Sequence, residues 1–208
     1  MANDQTGWYR KLFPTAHRKL LNRTLKRHLS SLSGEVLVIG AGYEPYRQIL
    51  KNADKVCLTD ISDEYGEIDC IADAHDLPFS DESFDGVVAV EVFEHLQKPA
   101  TAALEVFRVL RPGGRAIISI PFMYHVHGDP SDYSRFTRFG LNELFAKFGI
   151  VNIEEFGTRL SVMSDIITTT HPAFAALRFL NHIVASKIVS GRSSSDCPSG
   201  YCIELVKN

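Results

Sequence analysis

The chain has 208 residues, 45% of them hydrophobic and 23% charged, with a formal net charge of −3. This is the composition of an ordinary globular domain with room for a full core, without internal repeats or low-complexity stretches. No run of about 18 apolar residues occurs, and the start of the chain lacks the apolar segment and cleavage site of a signal peptide, so a cytoplasmic protein is expected.

The charge is uneven. Residues 1–34 hold seven Lys and Arg against one acid, whereas the remainder holds 15 against 24. Residues 15–32 read as a basic amphipathic helix. Leu21, Leu25, Leu29 and Leu32 share one face, and Arg18, Lys19, Arg23, Lys26 and Arg27 stand mostly elsewhere. An aromatic, basic lead-in, Trp8 to Pro14, precedes it. Three roles fit such a helix: packing on the domain edge with a solvated basic face, a lid over a ligand, or contact with a membrane surface or other anionic partner. Residues 1–33 are therefore set apart as an N-terminal extension of a domain spanning 34–208.

Val36-Leu37-Val38-Ile39 followed by Gly40-Ala41-Gly42 reads as a buried parallel strand, 35–39, feeding a tight turn. Glycines there let the backbone turn sharply and let a ligand approach the main chain. A helix is expected over about 44–52, with Pro45 in its first turn. A second strand, 55–59, ends at Asp60, which lies 18 positions beyond Gly42. An acid about 20 residues after such a loop is placed to accept hydrogen bonds from a ribose.

Further elements follow in alternation. Short strands are expected at 68–73 and 83–90. A helix over 98–110 should turn Ala103, Leu104, Phe107 and Leu110 inward and stop at Arg111-Pro112-Gly113-Gly114. Strand 116–120 ends at Pro121. Thr137 caps a helix carrying Leu141, Leu144, Phe145 and Phe148, closed by Gly149. A sixth strand covers 150–156. Residues 172–190 look helical, within an insertion at about 160–191, and a last strand covers 201–206. This βαβ rhythm implies an α/β fold, a parallel sheet with helices on both faces. Cys57 and Cys70 read as buried thiols. Cys197 and Cys202 are close enough in sequence for a disulfide, which a cytosolic setting disfavours.

A dehydrogenase loop carries a third glycine where this chain has Pro45, which weakens a dinucleotide reading. The downstream motifs point elsewhere. Asp73-Ala74-His75-Asp76-Leu77-Pro78-Phe79 is followed by Phe84-Asp85-Gly86-Val87-Val88, by Glu91-Val92-Phe93-Glu94-His95-Leu96, and by Leu110-Arg111-Pro112-Gly113-Gly114. With the glycine loop, this series resembles the class I S-adenosylmethionine-dependent methyltransferases of the type 11 methyltransferase-domain family. The resemblance covers roughly residues 34–156 and the last strand. It implies a Rossmann-like doubly wound sheet of about seven strands, mostly parallel with a last antiparallel strand. It also implies S-adenosylmethionine as cofactor and sets residue roles. Gly40, Ala41 and Gly42 match the loop beneath the methionine part. Asp60, with Ile61 after it, matches the acid that binds the ribose hydroxyls. Asp73 and Ala74 match the adenine contacts. Val90 and Glu91 match the strand end beside the sulfonium. Tyr43-Glu44 stands where the family has a small residue, which would crowd the loop.

Methyl transfer to a hydroxyl needs alignment and a base for the proton. The segment 121–137 follows strand five and hangs over the carboxyl ends of the strands, where ligands sit in open α/β sheets. It is dense in His, Asp, Tyr and Arg. His127 is the first candidate base and His125 the second, with Asp129 or Asp132 to orient the imidazole and Arg135 to hold an anionic acceptor. Glu91-x-x-Glu94-His95 also resembles the metal-binding Glu-x-x-Glu-His of ubiquinone-pathway O-methyltransferases and of small-RNA 3′-end methyltransferases, which His125 or His127 would complete. The same residues fit a metal-free pocket, and no metal is expected. The leading expectation is O-methylation of a small molecule or of a glycan or lipid-linked intermediate. A nucleic-acid methyltransferase using the basic helix is disfavoured by the acidic body and by the absence of an Asn/Asp-Pro-Pro-aromatic motif. A non-catalytic, cofactor-binding or membrane-peripheral protein is the third reading.

Overall fold

The fold was read from a computed structural model that describes residues 14–42, 46–64, 66–127, 131–170, 174, 177 and 197–208. The element order is α1 (Ala16–Leu29), β1 (Gly34–Ile39), α2 (Tyr46–Ile49), β2 (Ala53–Asp60), β3 (Cys70–Ile71), β4 (Phe84–Val90), a 3₁₀ turn (Phe93–His95), α3 (Pro99–Val109), β5 (Leu110–Pro121), α4 (Arg138–Leu144), β6 (Gly149–Phe156), α5 (Arg159–Thr170) and β7 (Gly200–Val206). The strands form one seven-stranded sheet in the order β3-β2-β1-β4-β5-β7-β6. All pairings are parallel except those of β7, which runs antiparallel to both β5 and β6. The Rossmann-like sheet with its antiparallel last strand is therefore the observed fold.

The period of two along each strand builds two cores. Leu37, Ile39, Val87, Ala89, Ile118 and Ile120 face one side, where α3 and α4 cover them. Val36, Val38, Val88, Val90 and Ile117 face the other, where Leu20, Leu21, Leu25, Leu29 and Leu32 cover them. The leucine stripe read from the sequence is thus the packed face of α1. Each leucine buried there is worth about 1.5–3 kcal/mol relative to leaving it in water. Thr15 caps α1, its hydroxyl accepting from the Arg18 N–H, and Thr137 caps α4 in the same way through the Gly140 N–H.

Several local expectations change. In α3 the inward stripe is Ala102, Ala103, Val106 and Val109, while Leu104 is 50% exposed. The alanines let the helix lie close on the sheet, which turns Leu104 outward. Arg111 to Gly114 does not end a helix in a free turn. Gly113 N–H donates to Lys207 O at 2.7 Å and Lys207 N–H to Gly114 O at 2.9 Å, so these residues open β5. A Cβ on Gly114 would stand 2.8 Å from Arg111 O, which explains a glycine there. The third strand shrinks to Cys70–Ile71, the helix after β1 to Tyr46–Ile49, and α4 ends at Leu144, with Gly149 opening β6. Cys57 and Cys70 are half-buried because they lie toward the sheet edge, where few elements cover β2 and β3. Cys197 and Cys202 are not joined in a disulfide. Trp8 to Phe13, Tyr43, Glu44, Pro45, Asp129 and most of the 172–190 helix lie outside the described residues.

Candidate functional site

The parallel strands β1, β2 and β4 end side by side, and their carboxyl ends carry the residues singled out in the sequence. Gly40 leaves β1 with φ 65°, and a Cβ there would stand 2.5 Å from Val92 Cγ2. Gly42 has φ 52° and, among the described residues, no heavy atom within 4 Å of where a Cβ would be. The loop therefore has open space above it, as a cradle for a ligand needs. It is pinned from β2. Ala41 N–H donates to Thr59 O at 3.0 Å and Gly42 N–H to Asp60 Oδ2 at 2.9 Å. The other Asp60 oxygen accepts from Ile61 N–H at 2.7 Å. Ile61 and Ile71 are each 63% exposed, and Ile71 pairs with Asp60 across the β2–β3 ladder. Two uncovered aliphatic chains thus stand next to a carboxylate.

Asp73 forms a turn with Asp76 over the buried Ala74. Its carboxylate accepts from His75 N–H at 2.9 Å and meets His75 Nδ1 at 2.6 Å. The His75 backbone bond, ahead of the side chain, holds its pKa below the ordinary carboxylate range.

At the end of β4, Val90 is buried and Glu91 sits at φ 56°, a left-handed conformation unusual for a residue with a side chain. Such strain gathers at functional sites. Glu91 N–H donates to Ser119 O at 3.1 Å. The Glu91 carboxylate accepts from the Ser119 hydroxyl at 3.2 Å and meets His17 Nε2 at 2.9 Å. His17 is 2% exposed, meets Ser199 Oγ at 2.7 Å through Nδ1, and packs against Tyr124 and Phe156. Burial on its own would raise the pKa of Glu91; the His17 imidazole beside it outweighs that and lowers it, keeping a carboxylate there. Sequence reasoning did not single out His17. The signal was present, because His17 stands four residues before Leu21 on the leucine stripe.

Glu94, in the 3₁₀ turn, is fully buried, and neither of its side-chain oxygens has a hydrogen-bond partner among the described residues. Burial first, then the nearby Glu91, pushes its pKa up to about 9. The main-chain carbonyl of Glu94 accepts from Tyr133 N–H at 2.7 Å, which ties the segment after β5 to this turn. His127 is thereby brought to it: His127 Nε2 lies 3.8 Å from Glu94 Oε1, and His95 Nε2 lies 3.6 Å from the same atom. Both rings are anchored from behind. His95 Nδ1 reaches Ser131 O at 2.6 Å, and His127 Nδ1 reaches His125 O at 3.3 Å and Asp132 Oδ2 at 3.4 Å. Burial, then the neighbouring His95, lowers the pKa of His127 despite Asp132, so the ring is neutral at pH 7.

Arg135 bonds the two oxygens of Asp132 through its two terminal nitrogens. It fixes the carboxylate that orients His127, rather than reaching outward for an anionic acceptor. His125 is exposed, with its ring against Tyr124 and its carbonyl turned to His127. Glu94, His95 and His127 form the group of potential metal ligands among the described residues, their ligand atoms within 4.8 Å of one another. Glu91 is engaged by His17 and Ser119 instead, so the clustered trio differs from Glu91, Glu94 and His95. Two cavities of about 290 and 230 Å³ lie at the opposite, amino-terminal edge of the sheet, beside Asp85, Gly113 and Gly114 and beside Glu35, Lys55 and Phe84.

Residues 37–118 match the family model of a methyltransferase domain. The chain is 31% identical over 134 residues to the O-methyltransferase rstn1 of Aspergillus nomiae, covering 56% of this chain and 60% of that protein. It is 30% identical over 139 residues to an uncharacterised protein of Methanocaldococcus jannaschii, covering 64% of this chain and 67% of that protein. The chain spans 60% or less of the length of the fungal O-methyltransferases it matches. Among solved structures it superposes on an S-adenosylmethionine-dependent methyltransferase of Mesorhizobium loti with a TM-score of 0.62 at 15% identity, over 91% of this chain and 99% of that one.

Proposed function

We infer that this chain, which belongs to the S-adenosylmethionine-dependent methyltransferases of the methyltransferase-domain family, methylates a hydroxyl oxygen of a small molecule or of a glycan or lipid-linked intermediate. The observation that carries the reading is the convergence of the open Gly40–Gly42 loop, Asp60 and an ionised Glu91 on one sheet edge, with the neutral His127 beside it. The fungal relatives named as O-methyltransferases support oxygen as the accepting atom.

S-adenosylmethionine, when bound, supplies an electrophilic methyl group on a sulfonium leaving group. The chain's residues have the following parts. Asp60 would accept hydrogen bonds from the ribose hydroxyls, and Ile61 and Ile71 would offer apolar cover to the flat base beside it. Asp73 and Ala74 would meet the adenine. Glu91 places a carboxylate where a cation is favoured. His127 takes the hydroxyl proton on Nε2, because its Nδ1 is held by the His125 carbonyl and Asp132. Transfer would exchange the S–CH₃ bond for an O–CH₃ bond on the acceptor, with S-adenosylhomocysteine as the leaving group and the hydroxyl proton held on His127 Nε2. Incubation with methyl-labelled S-adenosylmethionine and a cell extract tests this. Label should appear in an alkali-stable ether. Tight S-adenosylhomocysteine binding without transfer of label would reduce the chain to a cofactor-binding protein.

A second reading is favoured by the orphaned oxygens of Glu94. With His95 and His127 they suit a divalent cation, and both histidines are already hydrogen-bonded from behind as metal-bound histidines are. A cation there would lower the pKa of an acceptor hydroxyl. Titration with Mn2+ separates the readings: a rise in melting temperature that His95→Ala abolishes supports the cation, and no rise leaves the metal-free site.

A further inference from the structure

Helix α5 is packed inside out. Its inward face carries Ser161, Val162, Asp165 and Thr168, all buried. Leu160, Met163, Ile166 and Ile167 face outward, each about half exposed (49–57%). A surface helix of a soluble protein ordinarily buries its apolar stripe and exposes its polar one. Here the inward polar groups have dedicated partners. The Asp165 carboxylate accepts from Ala16 N–H and His17 N–H, both at 2.7 Å, and so caps the N-terminus of α1. Ser161 Oγ accepts from Thr158 N–H at 2.8 Å. Phe174 and Leu177, beyond the helix, are exposed as well.

The charge pattern says what such a face meets. Residues 14–34 and 157–170, which carry α1 and α5, hold six Lys and Arg against one acid, the buried Asp165. The rest of the chain holds 16 against 24. On α1, which packs along α5, Arg23 and Lys26 are exposed. A large apolar face flanked by basic side chains, on an otherwise acidic protein, matches an anionic lipid surface, which takes the apolar chains into its interface and the cations to its headgroups. Its position has a consequence. β6 runs parallel to β5, so α5 starts at the same carboxyl edge where Glu91 and His17 lie. Exposed Met123 and Val126 stand on the loop that leaves β5 at this edge.

We propose that α5 and the basic face of α1 form a docking surface for anionic membranes, seating the protein with the candidate site near the bilayer interface. The proposal stands without the methyl-transfer reading. Sedimentation with vesicles tests it, comparing phosphatidylcholine alone with phosphatidylcholine containing phosphatidylglycerol. The full chain should pellet with the anionic vesicles and be released by salt. Met163→Asp with Ile167→Asp, and separately Arg23→Ser with Lys26→Ser, should each weaken partitioning by about tenfold or more. Unchanged melting temperature and circular dichroism establish that both variants fold. Three results would overturn the proposal. One is no binding to anionic vesicles. Another is binding that neither variant weakens. The third is a wild-type dimer in solution that the α5 variant dissociates, which would assign the apolar face to a second copy of the chain.

Discussion

Glu94 offers a sharp test, because its buried carboxyl titrates far from its ordinary value of 4.5, near 9. In the unfolded chain the group is ionised above about pH 5. In the folded protein it keeps its proton until about pH 9. Between those limits the folded state binds a proton that the unfolded state does not, so stability falls as pH rises, by about 1.36 kcal/mol per pH unit. From about pH 7 to about pH 8.5 the loss is roughly 2 kcal/mol. For a chain of this length that lowers the melting temperature by roughly 4–8 °C. The window avoids His127, whose lowered pKa makes stability rise with pH only up to about 6.5. It also lies above the range where the salt-bridged and backbone-bonded Asp and Glu residues titrate. Glu94→Gln removes the titration, and the slope should flatten. The absolute stability of that variant is a poorer readout, because a buried amide is also left without partners. The assay is thermal unfolding in chelator at several pH values, wild type beside Glu94→Gln. Equal slopes in the two proteins would show that Glu94 ionises normally and that its burial is relieved in solution.

Other substitutions probe the site itself. Asp60→Ala removes the carboxylate that holds Gly42 N–H and would receive the ribose, and calorimetry should show S-adenosylhomocysteine binding weakened at least about tenfold. Unchanged affinity in the folded variant would detach this loop from the cofactor. His17→Ala lets the pKa of Glu91 rise, so affinity for the cationic S-adenosylmethionine should fall by about tenfold more than affinity for neutral S-adenosylhomocysteine; equal losses would show that Glu91 does not face the sulfonium. His127→Ala should keep cofactor affinity and cost at least about a hundredfold in turnover. Arg135→Ala, by freeing Asp132, should lower kcat rather than raise KM. Retained turnover in both variants would move the base elsewhere.

The sequence by itself determined the sheet. Short β-branched runs alternating with helical stretches can bury their apolar residues only as parallel strands with helices on both faces, and Val36 to Ile39 and Val87 to Val90 do so. The glycine loop and Asp60 were legible for the same reason, since both sit at the ends of local elements with fixed spacing. Where sequence reasoning failed locally, a distant contact decided. Gly113 and Gly114 look like a turn until Lys207 pairs with them, and Leu104 looks buried until the alanines set the roll of α3. The site chemistry was decided almost wholly by tertiary structure. His17 meets Glu91 across 74 residues and Ser199 across 182. Arg135 looked like an anion receptor, and only the fold showed its guanidinium committed to Asp132. Glu94 reads in the sequence as one acid of a Glu-x-x-Glu-His series, and only the turn after β4 shows it sealed with both oxygens unsatisfied among the described residues. Periodicity reports which face a residue takes. It carries no information on which charges the folded chain brings together in low dielectric, and those pairings set the proton affinities on which the chemistry depends.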